Sequence, residues 1–227
     1  MGKKTSSNVF DNYAEDYDNW FNKHEATFLS ELILIQSLIT KTTDCLEIGV
    51  GTGRFAQALG IKEGIEPSIE MGAIAKARGI TVHQATAESL PFNDNSFNSL
   101  LMVTTICFID NPNVALQEAH RVLRNNGHLI IGFVNKESTI GKRYLQTKDT
   151  NKYYQNAYFY SSEEIIKMLT QNSFEIKKIK QTLFDNENNS QSIQQPIEGY
   201  GIGSFVGIKA SKTVVSQAGL HRNMLSP

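Results

Sequence analysis

Cys45-Leu46-Glu47-Ile48-Gly49-Val50-Gly51-Thr52-Gly53-Arg54-Phe55-Ala56 is the stretch that decides the fold. Cys45 to Ile48 reads as a buried strand, apolar but for one acid, and the glycines that follow stop it. Arg54-Phe55-Ala56 then opens a helix. Glycines at alternate positions suit a tight turn that a ligand approaches closely, because a side chain there would occupy the ligand's place. The start of the following helix offers free N–H groups and a partial positive charge, which favour a carboxylate or phosphate. Glu47 narrows the choice. An acid two residues before the first glycine, at the carboxyl edge of the strand, repels a dinucleotide pyrophosphate. It holds a ligand that carries an ammonium group beside a carboxylate.

Outward from this turn, short apolar runs alternate with helical patterns. Phe28, Leu32, Ile35 and Ile39 recur at helical spacing and predict a helix from Phe21 to about Ile39. Gly64-Ile65-Glu66 reads as a second strand stopped by Pro67. A helix over Ile69 to Arg78 follows, capped by Gly79. Ile80 to His83 is a third strand, and Leu100 to Thr104 a fourth, continuous in its apolar residues as if covered on both faces. Asn111-Pro112 opens a helix running to Arg124, Asn126-Gly127 is a turn, and Leu129 to Val134 is a fifth strand. A polar, tyrosine-rich stretch then runs to about Tyr160. Ser161-Ser162-Glu163-Glu164 is a capping box for one more helix. Phe174 to Phe184 and Ser204 to Ala210 read as strands joined by a polar loop, Asp185 to Gly203. Residues 1 to 9 and the residues from Ser211 read as frayed ends. Strand and helix alternating in this way predict a parallel sheet with helices on both faces.

The 227 residues suit one α/β domain with additions: an N-terminal helical lid over residues 1–40, a ligand-binding core over 41–135, a substrate-side insertion over 136–160, helix and strands over 161–210, and a tail over 211–227. With 22 Lys+Arg against 23 Asp+Glu there is no electrostatic footprint for nucleic acid or an anionic membrane. The apolar runs are too short to span a bilayer, and Met1-Gly2-Lys3-Lys4 has no apolar stretch behind it. Cys45 and Cys107, both in apolar runs, read as buried free thiols. A cytoplasmic protein, monomer or homodimer, is expected.

Three further segments carry chemistry. Glu66 lies nineteen residues after Glu47, where an acid accepts hydrogen bonds from ribose hydroxyls in nucleotide-binding α/β folds. Thr86-Ala87-Glu88, just past the third strand, offers a polar side chain and a backbone N–H to an adenine edge. Thr104-Thr105 leaves the fourth strand as the floor on which a reacting centre rests. Ammonium, carboxylate, ribose and adenine belong together in S-adenosylmethionine.

At this point a family resemblance is clear. Leu46 to Ala56, Glu66-Pro67-Ser68, Ala87-Glu88-Ser89-Leu90-Pro91-Phe92 and Glu118 to Gly127 resemble the class I S-adenosylmethionine-dependent methyltransferases. The opening Phe10 to Trp20 is similar to the segment that begins the ubiquinone/menaquinone and small-molecule enzymes of that family. The resemblance spans roughly residues 10 to 135. It implies a Rossmann-like three-layer α/β sandwich whose seven-stranded, mostly parallel sheet has an antiparallel last strand. It assigns Glu47, Gly49, Gly51 and Gly53 to the methionine end of the cofactor, Glu66 to the ribose and Ala87 with its neighbour to the adenine, and it counts Pro67, Ser68, Thr86, Glu88, Thr104 and Thr105 among the cofactor-binding residues. Thr86 stands where the family usually has Asp. Asn125-Asn126 replaces a common Pro-Gly, and Cys107-Phe108 stand where the family often carries histidines.

The acceptor is expected to be a small molecule, because the chain shows no basic groove for a larger one. Tyr13, Tyr17, Trp20 and Phe21 are too aromatic for a solvated tail and are expected, with Tyr144 of the insertion, to seal the cofactor edge and line a small pocket. Methyl transfer from a sulfonium needs alignment and exclusion of water more than acid–base groups, so no catalytic residue is assigned. His24 reads as a surface residue more readily than as a base. No Cys/His/Asp cluster has metal-ligand spacing. Two other readings share parts of this pattern. An NAD-dependent oxidoreductase needs a third glycine one residue later and a second βαβ half. A non-catalytic module that only binds S-adenosylmethionine would keep the same cofactor residues.

Overall fold

The computed structural model describes residues 6–40, 42–184 and 192–213. The expected tail after Thr213 and residues 185–191, the first part of the Asp185–Gly203 loop, lie outside the described residues.

Two helices precede the sheet, α1 (Ser6–Lys23) and α2 (Glu25–Leu38). Tyr13 leaves helical geometry and kinks α1. The predicted helix beginning at Phe21 is therefore two helices broken at His24. The buried face of α2 is Ser30, Glu31, Leu34, Ile35 and Leu38. It is turned from the Phe28–Leu32–Ile35–Ile39 stripe, and Leu32 and Ile39 are only half-buried.

The strand–turn–helix at the glycines forms as expected, with β1 (Cys45–Ile48) followed by the short α3 (Arg54–Leu59). Then come β2 (Glu63–Ile65), α4 (Ile69–Ala77), β3 (Thr81–His83), β4 (Phe97–Val103), α5 (Pro112–Val122) and β5 (Leu123–Val134). Ser68 caps α4 by accepting from Met71 N, and Asn111 caps α5 by accepting from Val114 N. The turn expected at Asn126-Gly127 is absorbed into β5, with Asn126 at φ 63°. The tyrosine-rich insertion holds α6 (Thr139–Thr147), begun by Ser138 accepting from Gly141 N. The capping box of Ser161 and Glu164 starts α7 (Ser162–Gln171). β6 (Phe174–Thr182), β7 (Ile197–Glu198) and β8 (Phe205–Lys212) are the last elements among the described residues.

Among the described residues the sheet has eight strands, in the order β3-β2-β1-β4-β5-β8-β6-β7. β8 runs antiparallel between β5 and β6, which is the antiparallel closing strand of the expected fold. The eighth strand is β7, a two-residue edge pairing of Ile197 and Glu198 with Gln181 and Lys180. No apolar alternation marks so short an edge, and its loop is held largely by Gln181, whose Oε1 accepts from the Ile202 and Gly203 N–H groups.

Side chains alternate between two cores. Leu46, Ile48, Leu100, Met102, Leu129 and Ile131 face one, with α5 and α7. Cys45, Leu101, Val103 and Ile130 face the other, with α1 to α4. The strand order reverses between β1 and β4, so the chain leaves their carboxyl ends in opposite directions and opens a crevice there.

Candidate active site

At that crevice β1 delivers the glycine turn. The turn is held down by Gly49 N and Val50 N donating to Ile65 O, and by Gly53 N donating to Val50 O. All three glycines have positive φ: 72° at Gly49, 55° at Gly51 and 83° at Gly53. Their surroundings differ. A Cβ at Gly49 would collide with the Thr105 side chain, and one at Gly53 would press on Ala75 at 3.1 Å. One at Gly51 would meet only Met71 Cε, at 3.4 Å. Gly49 and Gly53 thus serve close packing, and Gly51 faces space.

That space is a cavity of about 200 Å³. Gly49, Gly51, Glu66, Pro67, Thr86, Ala87, Glu88, Thr104 and Thr105 are in its wall, so nine of the residues singled out in the sequence converge. Ile65, Met71, Val103 and Ile109 supply apolar surface between them, and Phe10 and Tyr17 of α1 cover it. Glu66 is buried with its Oε2 accepting from Gly51 N at 2.9 Å and its Oε1 from Ser68 N at 3.0 Å. A carboxylate has about four lone-pair sites, so each oxygen can take one bond more. Burial raises the Glu66 pKa, against the two backbone donors that favour its charged form.

Glu47, Gly53 and Ser68 stand behind this wall rather than in it. Glu47 is buried; burial raises its pKa, opposed by an Ala56 N–H, and its Oε2 has no partner among the described residues. Ser68 donates to Asp11 Oδ1 at 2.6 Å, tying α1 to the start of α4. The wall residues fit a nucleoside with an amino-acid tail. A side chain is missing only where one would fill the space, a buried carboxylate is presented at Glu66, and an apolar slot runs between Ile65 and Ile109.

A second cavity of about 200 Å³ adjoins the first. Tyr17, Thr104 and Phe108 line both. Thr104, at φ 51°, carries the chain off β4. Its side chain bonds the Tyr17 phenol, which burial pushes above the ordinary tyrosine range. Tyr17, Trp20 and Phe21 of α1 and Tyr144 of α6 are in the second wall. Tyr13 is not; it is 40% exposed and lies under Lys152, 4.3 Å from its ring centroid. His24 is exposed and stacked on Trp20. Cys107 lines the chamber with its thiol pushed up to about 12 by burial, donating to Thr104 O.

The insertion closes the chamber. Tyr144 packs on Tyr154 at 4.7 Å and Tyr154 on Phe159 at 5.5 Å. Tyr153 lies against Phe10 and Tyr17 of α1. α1 is strapped down beside it, because Asp18 accepts from Arg54 at 2.7 Å and from Arg78 at 2.8 Å. Burial would raise the Asp18 pKa, but bonds from Arg54 and Arg78 hold it well below the ordinary carboxylate range. The wall members not singled out in the sequence include Phe55, Phe108, Phe133 and, above all, Glu31. Glu31 did leave a signal, an acid set between Phe28 and Ile35 in an otherwise apolar helix face.

Comparison with known proteins agrees with this geometry. Residues 46–131 match the family model described as a methyltransferase domain. An uncharacterised protein of Methanocaldococcus jannaschii is 43% identical over 90% of this chain and 99% of its own length. An uncharacterised protein of Mycobacterium tuberculosis is 32% identical over 87% of this chain and 71% of its own. A crystal structure from Thermotoga maritima, described as a "SAM-dependent methyltransferase, possible histamine N-methyltransferase", superposes with TM-score 0.88 at 44% identity, covering 92% of this chain and all of that one. The family and fold imply S-adenosylmethionine as cofactor. The chain belongs to the class I S-adenosylmethionine-dependent methyltransferases.

Proposed function

We propose that the chain moves the methyl group of S-adenosylmethionine onto a compact small molecule, an amine, phenol, thiol or quinone-like ring, held in the second cavity. The observation that carries this reading is that the two cavities meet at Tyr17, Thr104 and Phe108. When bound, S-adenosylmethionine supplies an activated methyl carbon on a positively charged sulfur.

The residues divide the remaining work. Glu66 accepts the ribose hydroxyls while its backbone donors fix its orientation. Thr86, Ala87 and Glu88 border the adenine, with Pro67 and Ser68 shaping the turn beneath it. Gly51 makes room for the methionine end, while Gly49 and Gly53 let the turn pack closely on Thr105 and Ala75, with Glu47 behind it. Thr104 and Thr105 form the floor at the junction. α1 and the insertion act as a lid, and the aromatic walls exclude water and fix the acceptor along the line of attack, where most of the barrier reduction for such a displacement arises. A partly open chamber of about 200 Å³ favours a small acceptor over a macromolecule. The Thermotoga maritima neighbour, described as a possible histamine N-methyltransferase, is named for a compact acceptor.

The test is turnover with methyl-labelled S-adenosylmethionine and a set of compact amines, phenols and thiols. Label appearing in one of them, with one S-adenosylhomocysteine formed per methyl moved, is the expected result. Tight binding of S-adenosylhomocysteine with no transfer to any of them would favour the non-catalytic reading.

A further inference from the structure

Glu31 is the one Asp, Glu, Lys, Arg or His among the described residues in the wall of the aromatic chamber. It projects from the buried face of α2 and is 5% exposed. Among the described residues no hydrogen bond or ion pair reaches its carboxylate. An ionised carboxyl group in such a place costs several kcal/mol unless a cation meets it. Around it stand Tyr17, Trp20, Phe21, Phe55, Tyr144 and Tyr154. Aromatic faces attract cations and repel anions. The neighbouring titratable groups offer no competing charge: burial pushes the phenols of Tyr17, Tyr144 and Tyr154 and the thiol of Cys107 upward.

We propose that Glu31 is the anchor and proton acceptor for a primary or secondary amine, so that this protein is an N-methyltransferase of compact amines. The inference rests on the reading of the two cavities given above. The amine enters as its ammonium form and pairs with the Glu31 carboxylate. One N–H proton passes to Glu31, leaving a neutral amine with a free lone pair. That pair forms the N–C bond while the C–S electrons return to sulfur, giving a neutral thioether. The positive charge moves from sulfur to the methylated nitrogen, and Glu31 keeps the proton as product leaves. In the empty chamber the group is therefore the neutral acid, its pKa pushed up to about 8 by burial, and it releases that proton to water as the next ammonium ion enters and pairs with it.

Phenethylamine and 2-phenylethanol are a matched pair of probes, equal in shape and different in charge. Both are titrated at neutral pH into the wild-type protein and into Glu31→Gln, with and without S-adenosylhomocysteine, and the affinity of each protein for S-adenosylhomocysteine is measured alongside. The wild type is expected to prefer the amine by about tenfold or more, the range of a charged hydrogen bond. Glu31→Gln should shrink the preference below about threefold while S-adenosylhomocysteine affinity changes by less than about twofold. An equal or absent response of the wild type to the two probes overturns the proposal, and that arm needs no variant to fold. Full amine preference in Glu31→Gln also overturns it. Failure of the wild type to bind S-adenosylhomocysteine would instead contradict the methyltransferase reading of the first cavity.

Discussion

Gly51 separates what the fold needs from what the proposed ligand needs. The Cβ of a valine there would meet only Met71 Cε, at 3.4 Å. Its backbone strain at φ 55° is on the order of 1–2 kcal/mol. Gly51→Val should therefore lower the melting temperature by only a few degrees yet abolish S-adenosylhomocysteine binding in a calorimeter; near-native affinity would remove this turn from the site. Glu66→Ala should weaken the same binding roughly tenfold to hundredfold, the equivalent of about 1.5–3 kcal/mol. It also strips the Gly51 and Ser68 N–H groups of their acceptor, and a change below about twofold would place the ribose elsewhere. Glu31 adds a pH signature. Its carboxyl group titrates near 8 in the folded protein, above its unfolded value, so the folded state holds the extra proton and stability falls as pH rises from about 4.5 to 8. Glutamine mimics the neutral acid and does not titrate. Relative to the wild type, Glu31→Gln should gain roughly 4 °C or more in melting temperature between pH 5 and pH 8, and an equal difference at both pH values would contradict the burial of this group.

At the scale of elements, α1 is what makes an enclosed site out of an open sheet edge. It is attached by polar contacts as much as by its rings, with Asp11 reaching Ser68 and Asp18 gripping Arg54 and Arg78. Asp18→Ala removes the shared acceptor of two guanidinium groups that retain some access to water, so a loss of about 1–2 kcal/mol is expected. If α1 works as a lid, S-adenosylhomocysteine affinity falls and methyl transfer falls further; unchanged transfer in the variant would deny α1 that role. The aromatic residues of this segment gave it away as ordered, but the break at His24 left no mark, because neither glycine nor proline interrupts the helical pattern there. The insertion behaved similarly. Its tyrosines pointed to a covered surface, while α6 has a single fully buried residue, Gly141, and so too weak an apolar stripe to announce a helix.

For the molecule as a whole, the two halves of the site differed in how far the sequence revealed them. The proposed cofactor side is built from residues at strand ends, where glycine, acid and turn are dictated by backbone geometry, so Gly49, Gly51, Glu66 and Ala87 could be read in order along the chain. The proposed acceptor side gathers Trp20, Glu31, Phe55, Phe133 and Tyr154 from five separate regions, and each alone looks like ordinary core. Only the strand order, reversing between β1 and β4, brings the two cavities into contact. The central claim is that contact, and a crystal structure with S-adenosylhomocysteine bound tests it most directly. The expected result has the ribose hydroxyls on Glu66, the adenine beside Ala87 and Glu88, and the sulfur at Thr104 facing the chamber that contains Glu31. A ligand bound elsewhere, or one whose sulfur points away from that chamber, would contradict it.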